Sequence, residues 1–176
     1  MAYTDWIDIV EKTIQNKDRI NFLEFGLGEG TEYLVDKFKF VYSHELIDER
    51  DSTLIEWYNQ SSEKLKDKKN WKSEVVFWKD INFIDYDPNL PKKLLDRIDE
   101  LFSEYKFDGV LVDGGYHVRG DIANYVLNKF KPKYVVIHDT NYNYEVDGYL
   151  RIILPDIYET VEYRVGEGTH IFVKKG

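Results

Sequence analysis

Three glycines alternate with other residues in the segment Glu24-Phe-Gly-Leu-Gly-Glu-Gly30, which directly follows a short apolar run. An apolar run that ends in such a turn predicts a buried strand, a sharp bend and the start of a helix. Glycine has no Cβ, so Gly26, Gly28 and Gly30 would let the backbone approach a bound molecule closely. The first turn of the helix would offer unpaired N–H groups to a carboxylate. The segment therefore predicts a small-molecule pocket, although ordinary strand-to-helix turns share the pattern.

The spacing of these glycines argues against a bound dinucleotide. Dinucleotide-binding turns carry their glycines in the order G-x-G-x-x-G. In this chain Gly30 comes one residue early, and Thr31 stands where that motif needs its third glycine. A dinucleotide- or nucleotide-sugar-binding enzyme therefore remains only as an alternative.

Carboxylates also stand at the ends of three later apolar runs. Glu45 ends one run, Asp113 follows the next central run, and Asp139 follows the one after it. The carboxyl ends of parallel strands share one edge of a sheet, and ligands of α/β proteins bind there. Asp113 and Asp139 would therefore face each other, and two unpaired carboxylates raise each other's pKa. A divalent cation would remove that repulsion, because it prefers hard oxygen ligands.

The elements that must position these residues follow from an alternation of apolar runs with amphipathic segments, which predicts a parallel sheet covered by helices. The predicted helices are Thr4–Gln15 (with Thr4 as N-cap), Thr31–Phe38, Ser52–Lys66, Lys92–Tyr105 and Arg119–Phe130. The predicted strands are Arg19–Phe25, Phe40–Glu45, Glu74–Trp78, Phe107–Val112 and Tyr134–His138. Two more strands, Ile157–Val165 and His170–Lys174, flank Gly166-Glu-Gly168, which is a hairpin signal. The expected fold is a Rossmann-like three-layer αβα sandwich with a mostly parallel seven-stranded sheet ending in an antiparallel β-hairpin.

On these features the chain resembles the class I S-adenosylmethionine-dependent methyltransferases over nearly its whole length. The resemblance rests on Glu24, which precedes the first glycine by two residues, on the glycine turn and on the terminal hairpin. Asp113-Gly-Gly-Tyr-His117 and Ile137-His-Asp-Thr-Asn141 are similar to segments of the small O-methyltransferases, of the catechol and caffeoyl-CoA type and their sugar-modifying relatives. The resemblance implies a single methyltransferase domain over residues 1–176, with S-adenosylmethionine as cofactor and a small-molecule or glycan hydroxyl as acceptor.

The resemblance also implies which residues hold the cofactor. They are Glu24, Gly26, Gly28, Gly30, Glu45, Leu46, Asp80, Ile81 and Asp113. Glu24 would lie near the methionine amino group, and Glu45 would accept hydrogen bonds from both ribose hydroxyls. Leu46 and Ile47 would supply apolar contacts to the adenine face, and Ile81 would pack on the ring. Asp80 would accept a hydrogen bond from the adenine amino group. The alternatives are a strand-end surface acid at Glu45 and an ordinary polar residue at Asp80.

For the chemical step, Asp113, His117 and Asp139 are the candidate catalytic residues. Metal-dependent relatives take their ligands from the two aspartates and an adjacent asparagine. This chain has Thr140 at that position and Asn141 one residue later, so either residue completes a site for Mg²⁺ or another divalent cation, or the metal has been lost. A metal would hold an acceptor hydroxyl and lower its pKa. Without one, His117 is the best general base, unless it only caps a helix or lies in the loop.

The other histidines are predicted to be structural. His138 precedes Asp139, so strand alternation places its side chain on the opposite face, where it would pack. His170 has the same interpretation, and His44, beside Glu45, is expected to be structural as well.

Composition limits the partners. Hydrophobic residues make up 43% and charged residues 32% of the chain, which is typical of a soluble globular protein. A net charge of −9 disfavours nucleic acid, and acids interrupt the basic segment Lys64–Lys72. The chain has no cysteine, which excludes disulfides and thiolate metal sites and gives no information on the redox compartment. No apolar stretch is long enough for a membrane and no signal peptide is recognisable, so a cytoplasmic location is expected.

The acceptor site is the part on which the sequence is least informative. The loop Thr140–Gly148 is the main candidate, because Tyr142 and Tyr144 could stack on a planar or sugar acceptor. The same tyrosines could instead fill the contact of a homodimer. Since no substrate domain is visible, a module that binds S-adenosylmethionine or its product without catalysis stays open beside the enzyme.

Overall fold

The computed structural model describes residues 5–141 and 146–176, and a seven-stranded sheet forms its centre. The strands are β1 (Asn21–Phe25), β2 (Phe40–Ile47), β3 (Trp71–Phe77), β4 (Gly109–Val112), β5 (Tyr134–His138), β6 (Tyr158–Tyr163) and β7 (Thr169–Lys174). Their order is β3-β2-β1-β4-β5-β7-β6. Strands β1 to β5 are parallel, whereas β7 runs antiparallel to β5 and β6. The predicted fold is confirmed, including its terminal hairpin.

Helices cover both faces of the sheet. They are α1 (Trp6–Thr13), α2 (Glu29–Lys37), α3 (Ser52–Leu65), α4 (Trp78–Ile81), α5 (Lys92–Glu104) and α6 (Arg119–Lys129). Alternate residues of β1 and β4 enter two separate apolar clusters: Leu23 and Val110 pack with α5 and α6, and Phe22 and Leu111 pack with α1 and α2. This alternation produces the three layers, because successive side chains of a strand point to opposite faces.

The third strand and the residues after it differ from the prediction. β3 begins at Trp71, because it pairs with β2 from Val41 onward, and it ends at Phe77. Trp78 is not part of the strand but begins the one-turn helix α4. The predicted cap Thr4 lies outside the described residues. No helix in the described part of the chain is long and apolar enough to cross a membrane.

The register of the sheet brings four strand ends to one edge. Phe25 pairs with both His44 and Val112, and Val112 pairs with Ile137. The backbone N–H of Asp113 donates to Phe25 O at 2.9 Å. The residues that directly follow these paired positions are Gly26, Glu45, Asp113 and His138. They therefore meet at the edge of the sheet where the glycine turn follows β1.

Candidate functional site

The glycine turn after β1 is in contact with the turn after β4. Gly26 has φ +117°, a left-handed conformation that favours glycine, and a Cβ there would lie 3.0 Å from Gly114 N. A Cβ on Gly114 would in turn lie 2.9 Å from Gly26 Cα. Gly30 makes room for a different neighbour, since its Cβ would lie 2.4 Å from Cζ2 of Trp6. Gly26 and Gly114 thus allow the two turns to touch, and Gly30 accommodates α1.

A cavity of about 360 Å³ opens above these strand ends. Its carboxylates are Glu24, Glu29, Glu45, Asp113 and Asp139, its basic side chains are Arg119 and His138, and Trp6, Leu27, Leu46, Leu54 and Trp57 supply apolar walls beside the glycines of both turns. The predicted residues Glu24, Gly26, Gly28, Gly30, Glu45, Leu46, Asp113 and Asp139 all line it. Parallel strand ends therefore bring together most of the predicted site.

Glu24 is a buried acid in the floor of this cavity, with 3% of its surface exposed. Its carboxylate accepts hydrogen bonds from Thr31 Oγ1 at 2.9 Å and Ser43 Oγ at 2.7 Å. Burial raises the pKa of Glu24 to about 8, although these hydroxyls oppose the shift. Within the described residues Glu24 forms no ion pair, so a cationic ligand group would be its natural partner.

Glu45 is held by backbone groups at the end of β2. Its two carboxylate oxygens accept from Leu27 N at 2.6 Å and Leu46 N at 3.1 Å. Burial raises the pKa of Glu45 to about 7, and the two backbone hydrogen bonds limit the shift. Each oxygen keeps a further lone pair, so the side chain can still accept hydroxyl groups from the cavity.

Asp113 and Asp139 meet at a histidine that the sequence analysis placed elsewhere. His138 Nδ1 lies 2.8 Å from Asp113 Oδ1 and 3.4 Å from Asp139 Oδ1, and His138 Nε2 lies 2.6 Å from Asp5 Oδ1. Burial disfavours the charged imidazole, but Asp113, Asp139 and Asp5 outweigh it and raise the pKa of His138 to about 9. The prediction that His138 only packs on the opposite face is therefore wrong.

The reason lies in the backbone at the end of β5. Strand alternation applies only within a strand, and β5 ends at His138. Asp139 has φ +59°, a left-handed conformation that is uncommon outside glycine. The chain direction thus changes at Asp139, and the side chains of both residues reach the cavity.

Arg119, which is not among the residues predicted from the sequence, completes this group. It is the first residue of α6, and its Nη1 forms an ion pair with Asp139 Oδ2. The charges of Asp113 and Asp139 raise the pKa of the guanidinium even though burial opposes its charge most strongly. The only sequence signal for Arg119 was its position at the helix start that follows Asp113 and two glycines.

Four predicted residues lie outside the cavity lining. His117 lies in a neighbouring cavity of about 510 Å³, where its ring stacks on Tyr86 with centroids 4.1 Å apart. Asp80 is exposed on the one-turn helix α4, and Ile81, 7% exposed, faces the apolar core. The irregular turn after β3 thus directs both residues away from the cavity that the other candidates share.

Asn141 is the fourth of these residues. Its amide donates to Arg164 O at 3.3 Å and Gly166 O at 3.1 Å, which fixes the turn between β6 and β7. The structure therefore does not bring Asn141 to Asp113 and Asp139 as a third metal ligand. Tyr142 and Tyr144, the candidates for acceptor stacking, lie outside the described residues.

A divalent cation needs several ligand atoms that converge on one point. Ligand atoms of Asp113, His138 and Asp139 lie within 4.8 Å of one another, a spacing that a metal ion could bridge. However, each aspartate already has a cationic side chain beside it, His138 for Asp113 and Arg119 for Asp139. A divalent cation would have to displace or neutralise both partners, so the group as arranged does not fit one.

Comparison with known proteins adds the fold family. No protein-family model matches the sequence, and no curated protein matches it. Among solved structures, an O-methyltransferase from Bacillus cereus in complex with S-adenosylhomocysteine (SAH) has a TM-score of 0.64 at 13% identity, covering 99% of this chain and 83% of that one. A Staphylococcus aureus protein assigned as a caffeoyl-CoA O-methyltransferase gives 0.66 at 12%, covering 99% and 85%. The chain has the class I methyltransferase fold.

A third structure with this fold carries the same product. The SAH-bound methyltransferase of Podospora anserina gives a TM-score of 0.62 at 12% identity, covering 100% of this chain and 80% of that one. At such identities the comparison establishes the class I fold and no individual residue role. The chemistry must therefore be argued from this chain's own cavity.

Proposed function

We propose that this protein is an S-adenosylmethionine-dependent methyltransferase that methylates a hydroxyl of a small-molecule or sugar acceptor. The observation that carries the proposal is the set of carboxyl groups in the cavity at the carboxyl edge of the sheet. Asp113 and Asp139 have basic partners there, whereas Glu24 is buried without an ion pair among the described residues. A cationic ligand group would stabilise the ionised form of Glu24, whereas the pyrophosphate of a dinucleotide would oppose it.

The cofactor would supply an ammonium group and a methyl group on a positively charged sulfur. On the protein side, Glu24 would accept hydrogen bonds from the ammonium, and Gly26 would keep the turn after β1 packed against Gly114 at the edge of the cavity. Glu45, which keeps free lone pairs, would accept the ribose hydroxyls. Leu46 and Trp57 offer apolar surface for the adenine ring. SAH in two structures of this fold supports the same ligand class.

Asp113 is the group best placed to act on the acceptor. It lines the cavity at the end of β4, where it can accept a hydrogen bond from the hydroxyl that is methylated. His138, with its raised pKa, carries a proton at neutral pH and holds Asp113 in place rather than acting as a base. Because His117 lies in the neighbouring cavity, we assign it no proton transfer. Alignment of acceptor and methyl group would then supply much of the rate.

Calorimetric titration with SAH, alongside NAD, tests the cofactor assignment. We expect heat of binding with SAH and none with NAD. A folded sample that shows no heat with SAH would refute the proposal, and binding of NAD alone would favour a dinucleotide enzyme.

Turnover across a panel of hydroxyl acceptors then separates an enzyme from a binding module. We expect a methylated product with wild-type protein and a large loss of turnover in Asp113→Asn. Binding of SAH without product from any acceptor would favour a non-catalytic module. Unchanged turnover in Asp113→Asn would remove Asp113 from the chemistry.

A further inference from the structure

Arg119 occupies the place in the cavity where a positive charge is needed. Asp113 and Asp139 both line the cavity at neighbouring strand ends, and two adjacent carboxylates repel each other unless a cation lies between them. The guanidinium of Arg119 pairs with Asp139 and also interacts favourably with the charge of Asp113. A guanidinium stays charged at every accessible pH, so this compensation is permanent.

The backbone around Arg119 holds it in this position. The next residue, Gly120, donates its N–H to Asp147 O at 2.7 Å. A Cβ on Gly120 would lie 2.3 Å from the carbonyl carbon of Gly148, so only glycine permits this close approach. The start of α6 is thereby pinned to the segment 147–149, and the Arg119 side chain is only 17% exposed. Arg119 is a built-in group rather than a mobile surface residue.

We propose that the Arg119 guanidinium, which is paired with Asp139 and lines the same cavity as Asp113, takes the place of a divalent cation at these two carboxylates, and that this site works without a metal ion. The inference about the reaction rests on the proposed methyl transfer, but the charge assignment does not. The position of Asn141 agrees with it, because its amide is engaged at the β6–β7 turn rather than beside the two aspartates as a third oxygen ligand.

Manganese titration monitored by electron paramagnetic resonance tests the assignment directly. The proteins are the wild type, Arg119→Met, which keeps an unbranched side chain without the charged guanidinium, and Arg151→Met as the matched control. Arg151 pairs with Asp121, which is not among the residues that line the cavity. We expect no stoichiometric Mn²⁺ binding by the wild type or the control. Arg119→Met should bind Mn²⁺ at least about tenfold more tightly, because it exposes two carboxylates and a histidine to the ion.

Three results would overturn the assignment. One is stoichiometric Mn²⁺ binding by the wild type, a measurement that does not depend on whether any variant folds. A second is a folded Arg119→Met protein with no gain in Mn²⁺ affinity. A gain that persists in the double variant Arg119→Met, Asp139→Asn would count equally against it, since the new site would then not include Asp139.

Parallel titration with SAH keeps this inference separate from the proposed function. If SAH binds and the wild type takes up Mn²⁺, the metal-free site is refuted and the methyltransferase proposal stands. If SAH fails to bind while the Mn²⁺ results are as expected, the charge assignment stands and the function fails. Once an acceptor is known, turnover should be unchanged by a chelator, and loss of turnover on chelation that Mg²⁺ restores would refute a metal-free reaction.

Discussion

Glu24→Gln is the substitution that probes the buried carboxylate of the cavity most directly. The glutamine keeps the shape of the side chain and its hydrogen bonds to Thr31 and Ser43, but it removes the titratable group. In the wild type, burial raises the pKa of Glu24 from its ordinary value of 4.5 to about 8. The protein without ligand therefore binds a proton at Glu24 that the unfolded chain releases near pH 4.5.

The direction of the pH effect follows from this difference. Between the two pKa values the folded state binds more protons than the unfolded state, so Glu24's contribution to stability is fully present below the unfolded pKa and falls as pH rises through the folded pKa. For a folded pKa of about 8, raising the pH from about 6 to about 9 lowers the free energy of unfolding by about 2 to 3 kcal/mol. In a chain of 176 residues that corresponds to a melting temperature lower by roughly 5 to 10 °C.

Thermal unfolding of the ligand-free protein across this pH range measures the effect. As the pH rises from about 6 to about 9, the free energy of unfolding of Glu24→Gln should fall by about 2 to 3 kcal/mol less than that of the wild type. The difference isolates Glu24, because Glu45 and the other groups titrate in both proteins. Glu29→Gln is the matched control, since it removes an exposed carboxylate from the same glycine turn and should behave as the wild type. If wild type and Glu24→Gln lose stability in parallel as pH rises, then Glu24 does not titrate as a buried acid and the reasoning fails.

The same variant should bind S-adenosylmethionine poorly. A hydrogen bond to a charged group contributes about 1.5 to 3 kcal/mol, so calorimetry should show an affinity roughly 10- to 100-fold lower than in the wild type. An unchanged affinity would place the ammonium group away from Glu24.

Three further substitutions test other parts of the cavity. Glu45→Gln should weaken SAH binding at least about fivefold in calorimetry, because a neutral amide oxygen accepts hydrogen bonds from the ribose hydroxyls less strongly than a carboxylate does. Equal affinity would show that Glu45 is only a strand-end acid. Gly114→Ala places a methyl group 2.9 Å from Gly26 Cα, so we expect weaker SAH binding together with a melting temperature lowered by roughly 2 to 8 °C, and wild-type values for both would disprove the close contact. Tyr149→Phe removes the hydrogen bond from its hydroxyl to His138 O at 2.9 Å and should lower the free energy of unfolding by about 1 kcal/mol in urea denaturation, whereas no change would show that the bond contributes nothing.

Local sequence patterns were sufficient to predict the sheet and one side of the cavity. An apolar run forms the buried strand, and the glycines that follow it form the tight turn by which the chain leaves the sheet. That pattern predicted the positions of Glu24 and Gly26 correctly. Glu45, Asp113 and Asp139 were predictable for the same reason, because parallel strands deliver the residues at their carboxyl ends to one edge. The functional roles of these residues remain predictions.

Positions beyond regular strands could not be predicted in this way. Asp80 was placed by counting from the end of β3, but the strand stops at Phe77 and α4 carries Asp80 into solvent. His117 was chosen for its distance in sequence from Asp113, yet the turn between them directs it toward Tyr86. In both cases the direction of an irregular backbone segment decided the outcome, and residue spacing carries little information about it.

The sequence by itself thus determined which acidic residues stand at the carboxyl edge of the sheet, because strand ends are marked by local composition. Only the tertiary structure decided what neutralises them. His138 reaches Asp113 because β4 and β5 pair in register and the two residues directly follow the paired positions Val112 and Ile137, and Arg119 reaches Asp139 because α6 is pinned by Gly120. Both contacts join residues from different elements, and their geometry depends on how strands and helices pack rather than on any spacing along the chain.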